Sequence, residues 1–152
     1  MTARLAGARV QRSRLALGVG AVAAALLWAV AAAAVVWAVA GLFDWAVELP
    51  IDLRRTLRAA AAALGAAAAL AALWRAGAVW SRRGVALWIE ARTPALRYAL
   101  VTALEPQPAG IREELERRVA GARWDGALSR AIGRAVMWPS AVILAALGAV
   151  LV

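Results

Sequence analysis

The chain contains no cysteine, no histidine and no lysine among its 152 residues, and it carries one phenylalanine, one tyrosine and only nine acidic residues. Without cysteine it forms no disulfide and no thiolate metal site, so cysteine usage is silent about redox compartment. Without histidine or cysteine it lacks the commonest general base, the usual zinc ligands and the thiol nucleophile. Without lysine it lacks Schiff-base chemistry and the phosphate-binding lysine of Walker-type loops. Ser13, Ser81, Ser129 and Ser140 have no obvious base to activate them, and Asp44 with Glu48 reads as a solvated loop pair rather than an acid/base dyad. No catalytic, cofactor-binding or metal-ligating residue is expected, and the chain reads as noncatalytic.

What is present is apolar. Hydrophobic residues make up 64% of the chain and the mean hydropathy is +0.71, beyond the roughly half-apolar usage of globular domains. All 18 basic residues are arginine and the net charge is +9. The arginines flank apolar runs instead of interleaving with aromatics on a polar surface, a pattern of membrane orientation rather than nucleic-acid binding. No nucleic-acid partner is expected. The abundance of alanine, with arginine in place of lysine, fits a GC-rich coding bias and is not read as a functional choice.

Three segments are apolar enough to cross a bilayer. Residues 15–43 hold no charge, and that length at about 1.5 Å per residue exceeds the ~30 Å hydrocarbon core. A basic N-terminus, residues 1–14 with Arg4, Arg9, Arg12 and Arg14, precedes it, while Asp44, Glu48 and Asp52 follow. Basic flanks are retained in the cytoplasm, which puts the N-terminus inside. Ala38-Val39-Ala40 fits a signal-peptidase site, but the apolar run is far longer than a secretory h-region, so the segment reads as an uncleaved anchor. Residues 58–75 form the second span: 59–74 are uncharged, and Arg58 and Arg75 can snorkel to the headgroups. An external loop over 44–57, broken by Pro50, joins the two. Its Arg54, Arg55 and Arg58 oppose the orientation, yet the four N-terminal arginines together with Arg75, Arg82 and Arg83 outnumber them. The third span, residues 135–152, opens with Trp138-Pro139, read as an interfacial aromatic and a first-turn proline.

Trp37 and Trp45 suit the outer interface, Trp74, Trp80 and Trp138 the inner one, and Trp28 falls in mid-span. Ala61, Gly65 and Ala69 repeat at four-residue spacing, which either lets the second span approach a neighbour closely or follows from alanine-rich composition alone.

Residues 76–134 form the polar part, read as a cytoplasmic amphipathic helical segment. The stretch from Arg75 to Arg134 holds 11 of the 18 arginines and six of the nine acidic residues. Val85, Trp88 and Ile89 share one helical stripe. Thr93-Pro94 predicts a cap and first-turn proline for a helix running to Leu104, with Leu96, Leu100 and Leu104 on its apolar face. Glu105 to Pro108 breaks the pattern, and a further helix starts near Ile111 with Ile111, Leu115 and Val119 on one side. Glu113 with Arg117 and Glu114 with Arg118 stand at the favourable i to i+4 spacing. Gly121, Gly126 and Gly133 weigh against a single helix continuing to the membrane, though Leu128 and Ile132 preserve the helical spacing. These short helices can pack on one another, on the membrane surface or on a partner, and Trp88 with Arg82, Arg83, Arg92 and Arg97 suits anionic lipid headgroups.

The run Val85-Ala86-Leu87-Trp88-Ile89-Glu90, followed by Pro94-Ala95-Leu96 and Leu100-Val101-Thr102-Ala103-Leu104-Glu105, resembles the N-terminal region of large uncharacterised bacterial membrane proteins, those of domain of unknown function four-one-seven-five. The resemblance extends to the order of segments: basic start, two spans, amphipathic stretch and third span. It implies no enzymatic activity, and it implies a longer protein with an extracytoplasmic region after the third span. The third span itself ends at Val152 with no polar flank, which is read either as a natural end at the outer surface or, preferably, as continuation into such a region.

The expected fold is an all-α membrane protein of a bacterial inner membrane: a two-helix transmembrane hairpin, amphipathic cytoplasmic helices and a third transmembrane helix. The expected role is a noncatalytic anchor or scaffold whose partners are the lipid bilayer and an unidentified protein or a second copy. The alternative is a small oligomeric channel-like or holin-like protein.

Overall fold

A computed structural model describes residues 3–106 and 108–151; Gln107, within the break expected over Glu105 to Pro108, and Val152, at the end of the third apolar segment, lie outside the described residues. All regular structure among the described residues is helical. The helices are α1 (Ala3–Val47), α2 (Ile51–Arg75), α3 (Arg82–Glu90), α4 (Ala99–Ala103), α5 (Ala109–Gly121) and α6 (Asp125–Leu151), with single 3₁₀ turns at Gly77–Trp80 and Pro94–Leu96. Three of them, α1, α2 and α6, are long and apolar enough to cross a membrane.

Helix α1 is longer than the apolar run it contains. Its 45 residues at about 1.5 Å each make about 68 Å, roughly twice a ~30 Å hydrocarbon core. No proline interrupts Ala3–Val47, and alanine, leucine and arginine are strong helix formers, so the basic N-terminal stretch continues the helix instead of preceding it. The expected loop over 44–57 shrinks to residues 48–50 for a similar reason. Pro50 ends the break, because its carbonyl already accepts the Arg54 N–H at 3.1 Å and starts α2. Asp44 secures the turn by accepting the Leu49 N–H at 2.8 Å. Arg54, Arg55 and Arg58 therefore lie in the first turns of α2.

The chain divides into two compact units, Met1–Val19 with Ala76–Ile132, and Gly20–Arg75 with Gly133–Val152. In the second unit α2 runs antiparallel to α1: Asp44 meets Arg54, Trp37 meets Arg58, and Ala29 meets Gly65. The small-residue face on α2 is a packing face, since Ala61 and Gly65 are buried. A Cβ on Gly65 would stand 3.0 Å from the Ala29 carbonyl oxygen, so glycine is what allows the two backbones to approach here. On α1, Ala24, Ala25, Ala31 and Ala38 are buried likewise.

Pro139 does not open the third apolar helix. It sits inside α6, which begins at Asp125 and passes through Gly126 and Gly133 without a break. Proline deprives the carbonyl four residues back of its donor, a cost that interior prolines in apolar helices survive with help from neighbouring groups. Here the carbonyl that loses its donor is that of Ala135, and the Ser140 hydroxyl donates to the next one, that of Val136, at 2.9 Å. Pro139 itself is fully buried.

In the first unit the short helices pack on one another, with Val85, Ala86, Ile89, Leu96, Ala99, Leu100 and Val119 buried. The helix expected over Thr93 to Leu104 is broken. Arg97 and Tyr98 adopt left-handed conformations, with φ of 44° and 63°, between the 3₁₀ turn and α4. Such residues cost about 1–2 kcal/mol each when they carry a Cβ, and burial of Leu96 and Leu100 on either side of the corner offsets it. Helix α5 buries Val119 but exposes Ile111, and Glu114 alone gathers Arg118 at 3.0 Å and Arg117 at 3.2 Å. Gly84 is required by a close approach, since a Cβ there would overlap the Ala78 carbonyl oxygen.

Gly65→Leu is expected to destabilise the protein by about 1–3 kcal/mol by forcing α1 and α2 apart. Gly18→Ala, whose new methyl meets open space, should be neutral or stabilise by up to about 1 kcal/mol. Thermal unfolding of the two variants in detergent measures both.

Candidate functional site

Three side-chain constellations concentrate the polar chemistry of the chain. The first ties the N-terminal part of α1 to the junction of α5 and α6. Val10, Ser13 and Leu17 recur on one face of α1 and are buried. Arg9, one turn before Ser13, donates to the carbonyls of Val119 at 2.9 Å and Ala122 at 3.1 Å. These carbonyls terminate α5, where the helix dipole favours a cation. The same guanidinium stacks 4.0 Å from the centroid of Trp124, which is 2% exposed, a separation suited to a desolvated cation–π contact. The Trp124 indole N–H donates to the Ser13 hydroxyl at 3.0 Å. The Trp124 carbonyl accepts the N–H groups of Ala127 and Leu128 and so starts α6. Arg82 adds a contact of 3.3 Å to Gln11.

The second centres on Glu90, 8% exposed at the end of α3. Its Oε1 accepts the N–H groups of Leu100 at 2.7 Å and Val101 at 3.1 Å. The left-handed corner at Arg97 and Tyr98 frees those two donors by breaking the helix ladder. The carboxylate therefore caps α4 from a different helix, doing what an N-cap side chain does locally. Its Oε2 is buried and has no hydrogen-bond partner among the described residues. An open groove of about 600 Å³ borders it, lined by Leu87, Ala91, Pro94, Arg97 and Tyr98.

The third lies where α1 and α2 turn back. Asp44 Oδ1 accepts Arg54 at 2.8 Å as well as the Leu49 N–H, and the Arg58 guanidinium stands 6.0 Å from the Trp37 ring. A cavity of about 170 Å³ opens among these residues.

No family model matches the chain, and comparison with curated proteins and with solved structures gave no match. The reading of function accordingly rests on these residues.

Each serine weighed as a nucleophile holds a structural bond. Ser13 accepts from Trp124, Ser81 caps α3 by accepting the Gly84 N–H at 2.9 Å, Ser129 donates to the Gly126 carbonyl, and Ser140 to that of Val136. Asp44 is a turn-forming residue tied to Arg54, not half of a solvated pair with Glu48. Among the described residues no group of three or more acidic side chains is placed to hold a metal ion. In the arginine-rich stretch, Arg92 stacks 4.0 Å over Trp88 and donates to its carbonyl at 3.3 Å, while Arg83 and Arg97 are exposed.

Sequence reasoning missed Trp124, Ser13 and Arg9 as a unit, because their separation of more than a hundred residues leaves no local pattern. Glu90 had a faint signal: a lone acid at the end of an otherwise apolar run is out of place unless it finds donors.

Trp124→Ala should cost about 3–5 kcal/mol by leaving a cavity under α1. Arg9→Met, which keeps the stem but not the donors, should cost less. Glu90→Gln should be milder than Glu90→Leu, because the amide oxygen still accepts two N–H groups. Chemical denaturation followed by tryptophan fluorescence gives the order.

Proposed function

We propose that this chain is a noncatalytic anchor and scaffold of a bacterial inner membrane, with its N-terminus and the segment 76–134 in the cytoplasm. The observation that carries the reading is the exposure of the long helices. In the most apolar windows of α1, α2 and α6 only 22%, 11% and 6% of the residues are buried, so helices apolar enough to span are left almost bare. An all-apolar helix surface of that extent needs lipid or another apolar partner around it.

The orientation follows from the arginines. Four precede the first span and Arg75, Arg82 and Arg83 follow the second, against three at the intervening turn. A scaffold role follows from the first unit, in which α3 to α5 pack together and Arg9 and Trp124 tie α1 to them. Such a unit offers a defined surface to a protein partner. The noncatalytic reading is supported by the absence of histidine, cysteine and lysine and by the structural bonds that occupy the serines. Kinship with domain of unknown function four-one-seven-five belongs to the same proposal. It is supported by the order of segments and by Ile89-Glu90 and Leu100-Val101, which here form one cap.

Alkaline phosphatase fused after Pro50 is expected to be active and the same enzyme fused after Gly110 inactive; the opposite pattern would overturn the orientation. Release of the intact chain from vesicles by alkaline carbonate would overturn the membrane assignment itself. Discrete cross-linked oligomers that conduct ions in planar bilayers would favour a channel-like protein over an anchor.

A further inference from the structure

The three arginines at the turn between α1 and α2 run against the orientation rule, and the structure separates them by what they touch. Arg54 is held at 2.8 Å by Asp44, and Arg55 stands 3.9 Å from Asp52. Arg58 has no carboxylate partner among the described residues. Its guanidinium is exposed beside the ring of Trp37, itself 55% exposed.

The position of Arg58 along the helix matters. From Arg58 to Arg75 the chain is uncharged, and that distance is about 25 Å of helix, close to the ~30 Å hydrocarbon thickness. Arg58 and Trp37 therefore stand at one edge of the apolar slab, where phosphates of a bilayer lie. The cavity opens at this level. Val36, Ala40 and Leu57 give it an apolar wall, and Arg54, Arg58 and Asp44 a polar rim. Asp44 Oδ1 is already taken by Arg54 and the Leu49 N–H, so two guanidinium groups face one engaged carboxylate and the rim is net positive. Its volume of about 170 Å³ is below the roughly 300–1,000 Å³ of pockets that enclose a whole small molecule. It suits part of a larger amphiphile.

We propose that this cavity is a binding site for one anionic phospholipid, with the phosphate on Arg58 and the start of an acyl chain against Val36, Ala40 and Leu57. A planar guanidinium grips a phosphate through two parallel N–H groups, which an ammonium cannot do. The exposed Val39, Leu42 and Phe43 beside the site on α1 bring lipid, rather than free anions, to the opening. The third arginine at the turn thus has a use that does not depend on orientation. The inference rests on α1 and α2 crossing a bilayer.

The test is native mass spectrometry of the full chain released from detergent, titrated with anionic and zwitterionic phospholipids of identical acyl chains and, separately, with inorganic phosphate. One anionic lipid should be retained with at least tenfold preference over the zwitterionic one. Arg58→Gln should abolish that preference. Gly41→Leu, which keeps every charge and places a side chain where a Cβ meets no atom, should weaken retention by filling the cavity. Arg123→Gln, removing an exposed charge elsewhere, should leave it unchanged. Equal retention of the two lipids, or equal losses in Arg58→Gln and Arg123→Gln, would overturn the site; displacement of the lipid by millimolar inorganic phosphate would make it a free-anion site instead. Carbonate extraction of the unaltered chain separates the two levels: a chain that stays in the membrane but shows no anionic preference refutes only the lipid site.

Discussion

Helices α1, α2 and α6 satisfy their own backbone hydrogen bonds and turn apolar side chains outward over most of their length, and in water that arrangement has no compensation. Leu15 and Leu26 on α1, Leu70 on α2, and Leu144 and Leu147 on α6 are all more than half exposed, so each long helix leaves large apolar side chains uncovered. Everything else in the molecule is compatible with that one constraint. The turn between α1 and α2 is reduced to three residues, Asp44 pairs with Arg54 there, and glycine and alanine carry the contact between the two backbones.

The first unit is organised differently, by buried polar contacts at its corners. Trp124 joins three elements through three kinds of contact: its carbonyl starts α6, its indole N–H reaches Ser13 on α1, and its ring receives Arg9, which also closes α5. Arg9 is only part-buried, and its contacts to an aromatic face and two carbonyls hold three elements together through one guanidinium. Glu90 makes a comparable connection at the other corner, where a carboxylate replaces the helix bonds that Leu100 and Val101 give up. The left-handed pair at Arg97 and Tyr98 is the strain that this cap sustains.

Much of this was legible from residue order. The three apolar runs, the break at Pro50, the close-packing spacing of Ala61 and Gly65, and the buried stripe of Val85 and Ile89 follow from local composition and period. Boundaries were the harder part. Charge set the expected start of the first span after Arg14, Pro50 and its flanking charges set the loop over 44–57, and Trp138-Pro139 set the start of the third span. Helical propensity continued across the charges and across Pro139: arginine is a good helix former, and Pro139 is accommodated within a long helix. In the opposite direction, a uniform helix was expected over Thr93 to Leu104, where the left-handed corner at Arg97 and Tyr98 breaks it and Glu90 takes up the freed backbone donors.

The amino-acid sequence alone determined that three segments are long and apolar enough to cross a membrane, because hydrophobicity and helical length are properties of contiguous residues. It also left out imidazole bases, thiol nucleophiles and Schiff-base lysines, because those residue types do not occur in it. Only the tertiary structure decided which arginines are structural and which are free. Arg9, Arg54 and Arg58 are alike as letters, and they differ because one meets a helix end and an indole, one a carboxylate, and one only an aromatic ring beside a cavity. Those partners come from other helices, so the distinction arises when the helices pack.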